Sequence, residues 1–244
     1  MTAHRTARSL TAQPTGIWPQ PGAATTAAKL ADVQCAPEQP GYSPSYGALL
    51  RERIRPGTPL PVGDDPVSVE VAARLLARLH LAAHGELPFP ALEDIHLRLE
   101  SQARDDADFE QRTSGDPTRG AAGLERPEMA RAAAMNLCAT AARTVLRHGD
   151  FVDKNLLRSG AGYVAIDPIL RIGDPCSEPA CHPPATTILQ RAGAVAGHMG
   201  LDRQRALRWA AVWAVLQTCQ AWRDDQSDLK ACLSSDQFEH LLAQ

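Results

Sequence analysis

Apolar side chains in this chain recur at helical spacing in several separate stretches. From Asp65 to His80 the positions Val71, Leu75 and Leu79, with Ala72 and Leu76 beside them, lie three and four residues apart, the spacing of one helix face. Asp65, Pro66 and Ser68 supply capping chemistry at its start. The same period predicts helices over residues 91–104 (Leu92, Ile95, Leu99), 128–143, 186–199, 202–222 and 235–242. The segment over 202–222 is the strongest, with Leu207, Val212 and Leu216 on one row and Trp209 and Trp213 on another. Strand-like runs are fewer and shorter. Gly47–Ile54 is the first, stopped by the turn residues of Arg55-Pro56-Gly57-Thr58-Pro59. Val145–Arg147, Leu156–Arg158 and Tyr163–Ile166 follow, and Ser159-Gly160-Ala161-Gly162 makes the last two a small hairpin among helices. The pattern therefore predicts an α+β protein with most of its mass in helices.

The ends of the chain and its linkers refine this division. Residues 1–46 are rich in Pro, Gly, Ala, Thr and Gln and hold neither period, so they read as a poorly ordered or vestigial amino-terminal segment. Residues 105–127 read as a polar linker. Three parts result: the amino-terminal segment, a connecting stretch over 47–60, and a helical unit over 61–244.

A formal net charge of −3 excludes a protein built to hold nucleic acid or an anionic membrane, since both need a dense basic stripe. No apolar run approaches the roughly 20 residues that span a bilayer. The first residues carry two arginines but not the apolar core of a secretory signal, so the expected location is the cytoplasm. Six cysteines without a C-x-x-C pair fit a reducing compartment.

The chemistry concentrates in His148-Gly149-Asp150-Phe151-Val152-Asp153-Lys154-Asn155, followed after the hairpin by Ile166-Asp167-Pro168 and then Gly173-Asp174-Pro175. Phosphoryl transfer needs a carboxylate that orients the attacking hydroxyl and takes its proton, and oxygen ligands for the Mg²⁺ on the nucleotide phosphates. A loop from Asp150 to Asn155 lets two side chains converge, and a strand–turn–strand returns Asp167 beside Asn155. Asp150, Asn155 and Asp167 supply the parts.

This segment resembles the catalytic loop and metal-binding strand of aminoglycoside phosphotransferases, especially the aminoglycoside/hydroxyurea antibiotic resistance kinases. The likeness extends over Leu49–Leu60, LLRERIRPGTPL, which is similar to that family's interlobe hinge, and over His182–Trp222. It implies a protein-kinase-like fold, here mainly the helical carboxyl-terminal lobe with the amino-terminal lobe largely missing. It implies ATP and Mg²⁺ as cofactors and a hydroxyl of a small polar or cationic antibiotic as acceptor, in antibiotic resistance or secondary metabolism. Asp150 would be the catalytic base, Asn155 and Asp167 the metal ligands, and the backbone of Glu52, Arg53 and Ile54 the nucleotide-binding hinge. His148 would be architectural, and Asp174 would hold the catalytic loop from behind and start the next helix. Lys154 either approaches the γ-phosphate or is a solvated loop lysine. Glu178, Asp224 and Asp225 are the acidic candidates for acceptor binding.

Two other readings compete. The 46 residues before the hinge contain no G-x-G-x-x-G, and Lys29 is their only lysine, which fits an inactive truncated kinase remnant that binds nucleotide weakly. Cys176, Cys181, His182 and His198 have metal-ligand chemistry but not metal-site spacing. A hydrolase is disfavoured by the absence of a G-x-S-x-G elbow. The sequence leaves the acceptor and the oligomeric state open.

Overall fold

The computed structural model describes residues 10–14, 36–38, 41–43, 48–61, 65–81, 89, 91–92, 101, 117–160, 162–179, 188–221 and 236–243. Strands β1 (Leu10–Pro14), β2 (Gly41–Ser43) and β3 (Ala48–Glu52) form an antiparallel sheet with β3 in the middle. Leu10 sits opposite Glu52, and Gly41 opposite Leu50. Two strands thus lie inside the stretch read above as poorly ordered. LTAQP and GYS are too short and too polar to show a period of two, and it is pairing with β3 that makes them strands.

The chain leaves this sheet after Glu52 and enters a second one. Pro56–Pro59, expected as a turn, is strand β4 and pairs antiparallel with β6 (Leu156–Ser159), which pairs in turn with β7 (Gly162–Ala165). Two prolines fit here because β4 is an edge strand, and its register shifts between them. A third, two-stranded sheet joins β5 (Val145–Arg147) to β8 (Arg171–Gly173), a strand that three residues of sequence do not announce.

Helix α1 (Pro66–Leu81) begins where expected. The Asp65 carboxylate accepts the N–H groups of Val67 and Ser68, each at 3.0 Å, and Pro66 takes the first position, where its missing donor costs nothing. Its buried row of Val69, Ala72, Ala73, Leu75, Leu76 and Leu79 faces β5, β7 and α3 (Ile188–His198). Helix α2 (Pro117–Ala139) starts inside the expected linker, runs through Pro127 and ends four residues early, where the Thr140 hydroxyl donates to Asn136 O at 2.7 Å. The helix expected over 91–104 lies outside the described residues, apart from Ala91, which bridges to Ile172, the buried Leu92 and the helical Ser101.

Helix α4 (Arg203–Ala221) is the centre of the helical layer. It packs on α2, α3 and α5 (Asp236–Ala243), with Trp209, Ala210, Val212 and Ala214 fully enclosed. One continuous hydrophobic cluster runs from α1 through the hairpin to these helices. No described helix is long and apolar enough to cross a membrane.

Candidate active site

The ladder of the β6–β7 hairpin decides the geometry of the site. Leu156 pairs with Ala165, and one step beyond, the Ile166 N–H donates to Asn155 O at 2.8 Å. Asn155 therefore enters the hairpin opposite the residue that precedes Asp167. A loop closes on the other side between residues five apart in sequence: the Asn155 side-chain amide donates to Asp150 O (2.9 Å) and to Asp150 Oδ2 (2.8 Å). Both bonds come from the nitrogen, so the amide oxygen is the end left for another partner. Between the two residues the chain makes a single 3₁₀ turn, Asp153–Asn155, which buries Asp153 and Asn155 and leaves Lys154 exposed.

Asp167 has φ +55°, a left-handed conformation that aspartate adopts more readily than most residues but still at some cost. Its carboxylate is 47% exposed and accepts a hydrogen bond from Arg51 Nη1 on β3, at 3.2 Å. Residues 53–55, which contain Arg53 and Ile54 of the expected hinge, form the passage between the first two sheets, and the Glu52 N–H donates to Glu38 O at 2.8 Å.

The loop rests on a buried carboxylate. Glu178 is fully enclosed, and its two oxygens accept the backbone N–H groups of His148 and Gly149, both at 2.9 Å. Arg147 Nε lies 3.8 Å away and His80 Nε2 3.9 Å away. Burial alone would raise the Glu178 carboxyl, but the Arg147 guanidinium, with His80 beside it, holds it down at about 2. Glu178, suggested by its charge as an acceptor contact, is enclosed and anchors the loop that begins at His148 from beneath. Asp174, expected both to hold the loop and to start the next helix, does the second and bonds α4. It caps the short helix Pro175–Ser177 through the Cys176 N–H (2.9 Å) and accepts hydrogen bonds from Arg205 Nε (2.5 Å) and Trp209 Nε1 (2.7 Å) of α4.

His148 is buried, its ring set edge-on to Phe151 at 5.6 Å, and its carbonyl accepts the Ile169 N–H at 2.6 Å. Burial lowers its pKa, so the ring is held neutral. Two supports escaped the sequence reading. Asp153 forms a buried ion pair with Arg191 of α3, tying the loop to the helical layer. Arg147 lies over the Trp213 ring at 5.7 Å. The available signal was an arginine in a strand with apolar Val145 and Leu146, because a charge enclosed on all sides needs partners.

The alternative metal module finds no support. Among the described residues no three His, Cys, Asp or Glu side chains gather as a cation site. Burial pushes the Cys176 thiol up to about 12, which keeps it protonated and a poor ligand, while Cys181 and His182 lie outside the described residues, as do Asp224 and Asp225.

Residues 40–226 of the 244 match the family model of the aminoglycoside/hydroxyurea antibiotic resistance kinases. The chain belongs to that family. Solved structures similar to this antibiotic resistance kinase family member share its protein-kinase-like fold. A choline/ethanolamine kinase family protein from Mesorhizobium loti superposes with a TM-score of 0.68 at 17% identity, over 98% of this chain and 87% of that one. An aminoglycoside phosphotransferase from Alicyclobacillus acidocaldarius gives 0.58 at 14% identity, over 97% and 85%. An aminoglycoside phosphotransferase from Streptomyces rimosus, in complex with ADP and streptomycin, gives 0.53 at 20% identity, over 79% and 80%. No curated protein matches the chain in sequence.

Proposed function

We propose that this kinase family member transfers the γ-phosphoryl group of ATP to a hydroxyl of a small polar or cationic molecule, an aminoglycoside or a related antibiotic. The observation that carries the reading is the closed loop in which Asn155 holds one oxygen of Asp150, Oδ2, at 2.8 Å. The second oxygen, Oδ1, is then directed by that bond and serves as the base. In the reaction the acceptor oxygen forms a new bond to the γ-phosphorus, the bond from that phosphorus to the β–γ bridging oxygen breaks, and the acceptor proton passes to Asp150. ADP leaves with the bridging oxygen.

The residues present suit Mg²⁺. The Asn155 amide oxygen, left over when the nitrogen bonds Asp150, and the half-exposed Asp167 carboxylate are hard oxygen donors. Two protein ligands are enough for this ion, which usually keeps waters and takes further oxygens from the phosphates. When bound there it would neutralise phosphate charge. The passage from Glu52 to Ile54, where the chain crosses between sheets, offers backbone groups for the adenine edge. Lys154, exposed within the loop, is the cation assigned to the γ-phosphate. Acceptor contacts are assigned to Asp224 and Asp225, since Glu178 is enclosed.

The test combines two measurements: thermal shift with Mg²⁺-ATP, and transfer of labelled phosphate across a panel of aminoglycosides. Wild type should be stabilised by nucleotide and should label a hydroxyl acceptor. Asp150→Asn should keep the thermal shift and lose roughly 10²-fold or more of the transfer rate. A shift without transfer to any acceptor would instead favour a remnant that only binds nucleotide. No shift at millimolar nucleotide would overturn the ATP reading itself.

A further inference from the structure

Arg51 touches a carboxylate of the site in a contact that the proposed chemistry does not use. It sits near the end of β3, fixed by pairing with Thr11, and reaches across to the hairpin to meet Asp167 at 3.2 Å, a contact between residues 116 apart in sequence. The side chains are 22% and 47% exposed, so the pair contributes little to stability and is easily exchanged for a better partner. Asp167 is also the carboxylate assigned to the metal. Once its charge is shared with a divalent cation, the guanidinium loses its counter-ion and must find another anion within reach. The phosphates that arrive with the metal are that anion. Guanidinium matches phosphate oxygens with paired, charge-assisted hydrogen bonds, a better fit than a single bond to one carboxylate oxygen.

We propose that Arg51 is a phosphate-binding residue of this site, exchanging its Asp167 partner for the nucleotide phosphates when nucleotide binds. The assignment rests on the ATP reading above. It gives the β3 side of the cleft a cation at a position where none of the chain's three lysines stands: Lys154 is in the catalytic loop, Lys230 follows the last long helix, and Lys29 precedes β2. Strand alternation supports it too, because Glu52, the next residue, points to the opposite face of the sheet and leaves Arg51 as the charge facing the hairpin.

The experiment is calorimetric titration of the full chain with ADP and, separately, with adenosine, for wild type, Arg51→Met and Arg51→Lys. All are run with Mg²⁺ and checked first for an unchanged melting curve. Arg51→Met should weaken ADP binding tenfold or more while adenosine binding stays within twofold, and Arg51→Lys should recover part of the loss. Equal affinity for ADP in wild type and Arg51→Met would overturn the proposal. So would a parallel loss for ADP and adenosine, which would make Arg51 a prop for the hinge. Wild type that binds neither ligand would overturn the ATP reading and this assignment with it, a result distinct from either pattern.

Discussion

At position 149 the chain has room for hydrogen and nothing larger. Gly149 has φ +77°, and a Cβ placed there would stand 1.9 Å from Ile169 O. The close approach is what brings the loop against the segment carrying Asp167, since the neighbouring His148 carbonyl takes the Ile169 N–H. Gly149→Ala should therefore lose about 2 kcal/mol or more of stability, from left-handed strain plus displaced backbone. Chemical denaturation would show it, and a variant as stable as wild type would mean the loop is not held as described. The motif H-G-D was legible in sequence as chemistry. That its glycine is a packing requirement was not, because the atom it must avoid lies 20 residues away in the chain. Glu178 carries the same lesson more sharply: an acidic residue between Ser177 and Pro179 reads as a surface group until the fold encloses it.

The elements show which periodicities were sufficient. Helices α1, α3 and α5 were visible because each buries an apolar stripe, and α4 because it is apolar over a long run, buried on all sides from Trp209 to Val215. Trp209 and Trp213, read only as apolar positions, also donate their ring N–H groups, to Asp174 (2.7 Å) and to Ser177 O (3.0 Å). Helix α4 is thus stapled to the turn that follows β8. Asp174→Ala should remove the charge partner of Arg205 and the acceptor of Trp209 together and cost about 3 to 5 kcal/mol, the range for breaking a buried charge pair, although Arg205 keeps Leu137 O and Thr140. A urea titration measures it, with Asp174→Asn expected to lie between, because the amide still accepts one bond. A loss under 1 kcal/mol for the alanine variant would show that this junction is not what fixes α4.

On the scale of the whole molecule, two buried groups beneath the loop set its response to acid. The pKa of His148 is lowered by burial from 6.5, and that of Glu178 is held at about 2 from 4.5. Both pKa values are depressed in the folded state, so both contributions are present above the unfolded values and are lost as pH falls. Stability should be level above about pH 6.5, decline first as the unfolded chain begins to protonate the histidine, and fall further from pH 4.5 toward 2. Glu178→Gln should flatten the lower limb while lowering stability at neutral pH, where Arg147 loses its charge partner. Melting temperature against pH reads both effects, and an unchanged lower limb in that variant would assign the acid sensitivity elsewhere.

The sequence by itself determined most of the helical layer and the loop and hairpin that carry the candidate residues, and through its resemblance the family. Helical stripes are local patterns, and Asp150, Asn155 and Asp167 are joined by a loop and a hairpin whose reach is fixed by a few residues. Only the tertiary structure decided what supports them. Strands β1, β2 and β8 exist because a distant partner supplies their hydrogen bonds, and the β4 prolines are strand residues because they lie at an edge. The Glu178 and Asp174 roles differ from expectation for the same reason. Which carboxylate lies beneath a loop depends on what encloses it, and enclosure is made by residues far apart in sequence.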